Sequence, residues 1–208
     1  MFENLKTPYR IETARTLLAC WDLQDARMMQ EAVSESVDSL LPFLPWAKGE
    51  PFDWHAKLAV IRRFRSRFDA GQECVMGIFE KDRSVVLGGT GLHFRGSSAV
   101  PEIGYWIRRS RQNRGLATEV TRALLKTAFE LSSAERVEIF CDVRNAASVR
   151  VIEKAGFRDE GTKRHAQKDS EGTWQDLRTW SMLRAEYTAS DLTKEPVSAW
   201  NEAGEKIL

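Results

Sequence analysis

The residues best suited to chemistry stand close together. Arg108, Arg109, Arg111 and Arg114 surround Gln112, Asn113 and Gly115 in the stretch RRSRQNRG. Arginine offers a fixed fork of donors to phosphate oxygens, and glycine lets such a group come close to the backbone. Leu116, Val120, Ala123, Leu124 and Ala128 follow at helical spacing, so the basic stretch runs into a helix N-terminus. There the first-turn N–H groups lack partners and the dipole end is positive. The chemistry implied is anion binding. No Gly-Lys-Ser/Thr closes the turn as in a P-loop, and no G-x-G-x-x-G dinucleotide fingerprint is present here.

Other chemistries find less support. Cys20, Cys74 and Cys141 are odd in number and far apart, with no C-x-x-C spacing, so neither a disulfide framework nor redox work is expected. His55, His93 and His165 are scattered without H-E-x-x-H, and no metal is expected. The 31 basic and 30 acidic side chains leave a net charge of +1, so no global field draws the chain to nucleic acid or membrane. A second basic cluster, Arg62, Arg63, Arg65 and Arg67, fits a solvated helix face, although a nucleic-acid module would also use one. No apolar run approaches the ~20 residues that span a bilayer, and Met1 to Arg10 lacks a signal-peptide core. A cytoplasmic protein without membrane contact is expected.

The elements that must position these groups can be read in order. Glu102 opens EIGYWIR, which alternates as a strand with Ile103, Tyr105 and Ile107 on one face. Upstream, residues 11–20 read as a first strand, and Asp22 starts a helix. Pro42 and Pro45 stiffen a loop that displays Phe43 and Trp46. Asp53 caps a second helix, which Gly71 stops. Residues 73–79 and 84–94 read as a hairpin. Gly88, Gly89 and Gly91 inside it mark a bulge or a close approach by backbone or ligand. A turn at Gly96, Ser97 and Ser98 leads into the EIGYWIR strand. Downstream come a strand over 136–143, a short helix from Asn145 to Gly156, and a closing hairpin turning at residues 169–172. A loosely held tail follows from 188. A length of 208 residues with 42% hydrophobic and 29% charged side chains suits one globular domain. The reading is therefore a single α/β (α+β) domain over 1–187 with a tail over 188–208. Its central mixed, mostly antiparallel sheet has about seven strands flanked by helices.

Glu102-Ile-Gly-Tyr-Trp106 followed by Gln112-x-x-Gly115-x-Ala117 resembles the acetyl-CoA loop of the GNAT acetyltransferases, specifically the ribosomal-protein N-acetyltransferase branch. Asn145-Ala-Ala-Ser148, Glu153 to Phe157, Leu44-Pro45-Trp46 and Gly172-x-Trp174-x-Asp176 extend the resemblance over residues 11–187. It implies the GNAT fold and acetyl-CoA as cosubstrate. Trp106, Ile107 and Arg108 would pair through their backbone with the amide-bearing pantetheine arm. Gln112, Asn113, Arg114, Gly115, Leu116, Ala117 and Thr118 would hold the pyrophosphate. Ala117 stands where many relatives have glycine, which a residue already helical tolerates. Asn145 would reach the cofactor arm, and the Ser148 hydroxyl would serve the departing thiolate. Glu102 matches a glutamate that acts as base in some of these enzymes, with His93 the runner-up.

Phe43 and Trp46, with Trp54 and Trp174 further candidates, would wall the acceptor side. The branch implies direct transfer in a ternary complex to the α-amine of a peptide, with a ribosomal protein as partner. An α-amine of pKa ~7.7–8.0 is partly neutral near pH 7, unlike lysine at ~10.4, which suits a site without a strong base. A small amine (antibiotic, toxin, polyamine or amino acid) or a non-catalytic acyl-CoA sensor remains open, as does monomer or homodimer.

Overall fold

Nine strands form one sheet in the computed structural model, which describes residues 7–50, 52–94 and 100–208. In chain order the elements are β1 (Arg10–Glu12), β2 (Thr16–Cys20), α1 (Ala26–Leu40), α2 (Trp54–Asp69), β3 (Cys74–Glu80), β4 (Val86–Phe94) and β5 (Pro101–Ile107). There follow α3 (Leu116–Glu130), β6 (Arg136–Asp142), α4 (Ala146–Ala155), β7 (Arg158–Lys168), β8 (Trp174–Leu183), α5 (Arg184–Thr188) and β9 (Ser198–Trp200). The sheet order is β7-β8-β6-β5-β4-β3-β2-β1-β9. Every neighbouring pair is antiparallel except β5 and β6, which run parallel with α3 as their crossover.

Two strands exceed the expected seven, each for a local reason. The first expected strand is broken at Thr13, whose hydroxyl takes the Thr16 N–H at 2.9 Å and so folds the chain into a β1–β2 hairpin. The segment after Tyr187, expected to be loosely held, instead adds β9 to the free edge of β1, with Ala199 fully buried. The Arg10 guanidinium lies 4.0 Å over the Trp200 ring and fastens that edge.

Two apolar layers cover the sheet. Leu116, Val120, Leu124 and Ala128 of α3 pack with Ile152 of α4 against Ile103, Ile107, Val137 and Ile139. Met29 and Val33 of α1 and Ile61 of α2 pack on the other face against Trp21, Phe79 and Val86. Asp53 caps α2 by accepting the Ala56 N–H at 2.8 Å, and Gly156 closes α4 in the left-handed region at φ +89°. The turn expected at Gly96, Ser97 and Ser98 lies outside the described residues. The glycines of β4 do mark close approach, by β5 at Gly88 and Gly89 and by the Cys74 carbonyl of β3 at Gly91. A Cβ on Gly88 would sit 2.1 Å from the Trp106 carbonyl oxygen, and one on Gly89 would sit 2.5 Å from the Trp106 indole nitrogen.

Candidate active site

β5 and β6 share their ladder at one pair, Glu102 with Glu138, so the strands part beyond it. Arg108 N–H donates across to the Leu87 carbonyl on β4 at 2.8 Å. Alternation along an antiparallel ladder therefore turns the Trp106 main-chain groups to β4 as well. Those of Tyr105 and Ile107 face the opening towards β6. The backbone pairing expected of Trp106, Ile107 and Arg108 is thus redistributed: Tyr105 and Ile107 present groups to the slot, while Trp106 and Arg108 are engaged with β4. Gln112 Nε2 donates to the Ile107 carbonyl at 3.1 Å, bracing the loop against the strand end.

The loop is shaped by two left-handed residues, Asn113 at φ +59° and Gly115 at φ +77°. Asparagine tolerates this region and glycine adopts it freely, so both types follow from the geometry. Gly115 is the N-cap of α3, which leaves the N–H groups of Leu116, Ala117 and Thr118 without carbonyls earlier in the helix. All three residues line the cleft, with Gln112, Asn113 and Gly115. Arg15, in the β1–β2 turn, grips this loop from behind. Its Nη1 donates to the Arg114 carbonyl at 2.8 Å and its Nε to Glu119 at 2.6 Å. Burial alone would raise the Glu119 carboxyl, but the Thr13 hydroxyl and the Arg15 donors outweigh it and lower its pKa.

The arginines behave differently from expectation. Arg108 pairs with Glu35 of α1 at 2.5 Å, Arg109 with Asp38 at 3.7 Å and Arg111 with Glu80 at 3.1 Å. Burial would raise Glu35, yet hydrogen bonds from Ser110 and Arg108 hold it down at about 2. Arg108 and Arg114 do not line the cleft, and of this group only Arg111 does. The groups that face the cleft at this loop are therefore the main-chain N–H groups of the helix end and Arg111. Arg108, Arg109 and Arg111 fasten the loop to α1 and β3.

The cleft measures about 1480 Å³ and runs from the α1–α2 side of the sheet, past the slot, to α4. On the α4 side Asn145 caps the helix by accepting the Ser148 N–H at 3.0 Å. Ser148 Oγ lies 2.9 Å from the Tyr105 hydroxyl. Burial pushes the Tyr105 phenol up to about 12, with the Ser148 hydrogen bond acting the other way. Cys141 on β6 lines the same wall, and burial pushes its thiol up too, which keeps it an unreactive neutral group.

On the other side of the sheet, His93, Glu102 and Glu138 lie opposite one another on β4, β5 and β6 and line the cleft as one row. His93 Nδ1 stands 3.7 Å from Glu73, and Glu138 is held by Arg136 Nε at 2.8 Å. Phe43 and Trp46 line the mouth, where the half-exposed Trp46 ring packs 6.1 Å from that of Trp106. Beneath them Lys57 and Glu50 form an ion pair with side chains only 3% and 4% exposed. Among the described residues no group of three or more His, Cys, Asp or Glu side chains could hold a metal ion, and no helix is long and apolar enough to cross a membrane.

Of the residues expected from sequence, Trp106, Ile107, Gln112, Asn113, Gly115 to Thr118, Asn145, Ser148, Glu102, His93, Phe43 and Trp46 line one cleft, while Arg108 and Arg114 do not. Sequence reasoning missed Arg15, Tyr105 and the Glu50–Lys57 pair. The alternation of Tyr105 with isoleucines disguised it as core. Arg15 carried no local signal, because its partner Glu119 is 104 residues away.

A mixed sheet that parts beside a glycine-capped helix N-terminus defines a GNAT-type transferase fold. Residues 15–158 match the acetyltransferase (GNAT) domain family, and the chain belongs to that family. It is 31% identical over 125 residues to the "Probable N-acetyltransferase YjcK" of Bacillus subtilis, covering 59% of this chain and 68% of that protein. Among solved structures it is similar to the microcin C7 self-immunity acetyltransferase MccE, in complex with acetyl-CoA and AMP. The TM-score is 0.76 at 17% identity, over 82% of this chain and 93% of that one. It is also similar to the ribosomal alpha-N-protein acetyltransferase RimL in complex with coenzyme A. Here the TM-score is 0.74 at 19% identity, over 85% of this chain and 97% of that one.

Proposed function

We propose that the protein transfers an acetyl group from acetyl-CoA to the α-amine of a peptide or protein, of the ribosomal-protein type, directly within a ternary complex. The observation that carries the reading is the slot between β5 and β6, with unladdered main-chain groups of Tyr105 and Ile107 beside the α3 N-terminus. An amide-bearing arm needs main-chain partners, and a pyrophosphate needs convergent N–H groups. The slot and the loop offer one of each, in that order along the cleft. Acetyl-CoA supplies the activated thioester when bound.

The residues divide the remaining work. The N–H groups of Leu116, Ala117 and Thr118 bind the pyrophosphate. Asn145 holds the first turn of α4 so that the Ser148 hydroxyl stands ready for the departing sulfur. An N–H of β5 facing the slot polarises the thioester carbonyl, a contribution of roughly 3–4 kcal/mol in acyl transfer. Glu102 takes the proton of the acceptor amine, directly or through one water, with His93 beside it on β4. Phe43 and Trp46 wall the acceptor. The name of RimL supports a peptide α-amine acceptor.

The test is release of free thiol from acetyl-CoA with a panel of peptide N-termini, lysine ε-amines, polyamines, aminoglycosides and free amino acids. Peptide N-termini should be preferred. Preference for a lysine ε-amine or a small amine would overturn the acceptor, and binding of acetyl-CoA without thiol release on any amine would favour a sensor. Glu102→Gln should lower kcat most at the acidic end of the profile, and an unchanged profile would move the base elsewhere.

A further inference from the structure

We propose that Tyr105 is a positioning residue for Ser148: its phenol donates to Ser148 Oγ and thereby turns the serine's own proton towards the slot between β5 and β6. The inference rests on the reading of Ser148 as donor to the departing sulfur. The two oxygens are 2.9 Å apart, on a strand and a helix 43 residues separate in sequence. A serine in a first helical turn rotates among several acceptors, and a fixed donor on its oxygen removes that freedom.

Either oxygen could donate at this distance, and three features favour Tyr105. Burial keeps the phenol protonated, at about 12, throughout the range in which an acyl transfer is assayed, so Tyr105 remains able to donate. The Ser148 N–H is already held by Asn145, which fixes where the serine sits and leaves its hydroxyl between the Tyr105 phenol and the Cys141 sulfur. Tyr105, Ser148 and Cys141 line the same wall of the cleft, and with the phenol donating, the Ser148 proton has the weakly accepting Cys141 sulfur beside it, which a thiolate in the slot outcompetes. The amine nitrogen bonds to the acetyl carbon as the C–S bond breaks, the electron pair of that bond stays on sulfur, and the amine's proton leaves through the base. Ser148 and Tyr105 keep their protons and stabilise the sulfur's charge by hydrogen bonding. No oxidant, reductant or further reactant is needed.

A double-mutant cycle on the full chain tests this. Tyr105→Phe should lower kcat about threefold to tenfold, the worth of one neutral hydrogen bond, and Ser148→Ala about tenfold. The KM for acetyl-CoA should stay within about twofold of the unaltered protein, and the double variant should be no slower than Ser148→Ala alone. Should Tyr105→Phe fold poorly, a polyfluorinated tyrosine at 105 keeps the shape while acidifying the phenol. The rate should then fall at alkaline pH, in a limb that the unaltered protein lacks. The proposal is overturned if Tyr105→Phe leaves kcat unchanged while Ser148→Ala lowers it, if the two losses multiply, or if the fluorinated protein keeps the unaltered pH profile. If Ser148→Ala is itself without effect, the role of Ser148 falls together with this one. That outcome leaves the acetyl transfer measured in the same assay intact.

Discussion

The Glu50–Lys57 pair under the aromatic mouth offers a sharp test of how that wall is held. Lys57 is 2% exposed, its Nζ bonds one Glu50 oxygen, and the Phe52 N–H donates to the other at 2.7 Å. The lysine ammonium also lies 5.5 Å from the Phe52 ring. Lys57→Met keeps most of the stem but removes the charge, leaving a buried carboxylate with one oxygen unpartnered. Breaking such a pair from one side costs about 3–5 kcal/mol, which for a domain of this size lowers Tm by roughly 6–20 °C. Glu50→Gln strands the ammonium instead and should cost a similar amount. The double variant, with two neutral groups of similar volume, should recover to within about 2 kcal/mol of the unaltered protein. Urea and thermal melts of the four proteins measure this directly. Single variants within about 1 kcal/mol of the unaltered protein, or a double variant as unstable as the sum of both, would refute the reasoning.

Further outcomes follow from single contacts. Asn145→Ala removes the acceptor of the Ser148 N–H and should cost about 1 kcal/mol, or ~2–4 °C in a thermal melt, with Asn145→Asp losing less. Gly89→Ala places a Cβ 2.5 Å from the Trp106 indole nitrogen. The displaced ring should loosen the Trp46 contact, costing about 1–3 kcal/mol and raising the acceptor KM while sparing that for acetyl-CoA. Glu35, held at about 2 in the fold, stabilises above the unfolded carboxylate value, and that stability drains as pH falls from ~4.5 towards 2. Glu35→Gln should therefore flatten the acid limb of the stability curve between those values, and an unchanged limb would assign the loss to other carboxylates.

The parts of the molecule written in local pattern were legible. The stripe of α3, the Asp53 and Asn145 caps and the left-handed Gly156 each depend on residues within a few positions of one another. What depends on distant partners was not. Arg108, Arg109 and Arg111 read as phosphate ligands because their acids, Glu35, Asp38 and Glu80, lie on α1 and β3, which no spacing rule connects to the loop. The break at Thr13 carries neither glycine nor proline and depends on a threonine hydroxyl. β9 is three residues long, too short to show a period, and exists because β1 had an open edge. Tyr105 fitted the apolar face so well that its hydroxyl, the one atom that distinguishes it from phenylalanine, went unread.

Arg15 has a consequence for how anything reaches the loop it holds. By gripping the Arg114 carbonyl and Glu119 together, it fixes the shape of residues 113–119 before a ligand arrives. Ordering a free loop would cost ~1–2 kcal/mol per residue at the moment of association. Here that entropy is lost during folding, so capture is expected to be quick, insensitive to loop motion and selective for shape. A change at position 15, about a hundred residues upstream of the loop, would accordingly be felt as slower arrival and looser fit, with every group that touches the ligand still in place.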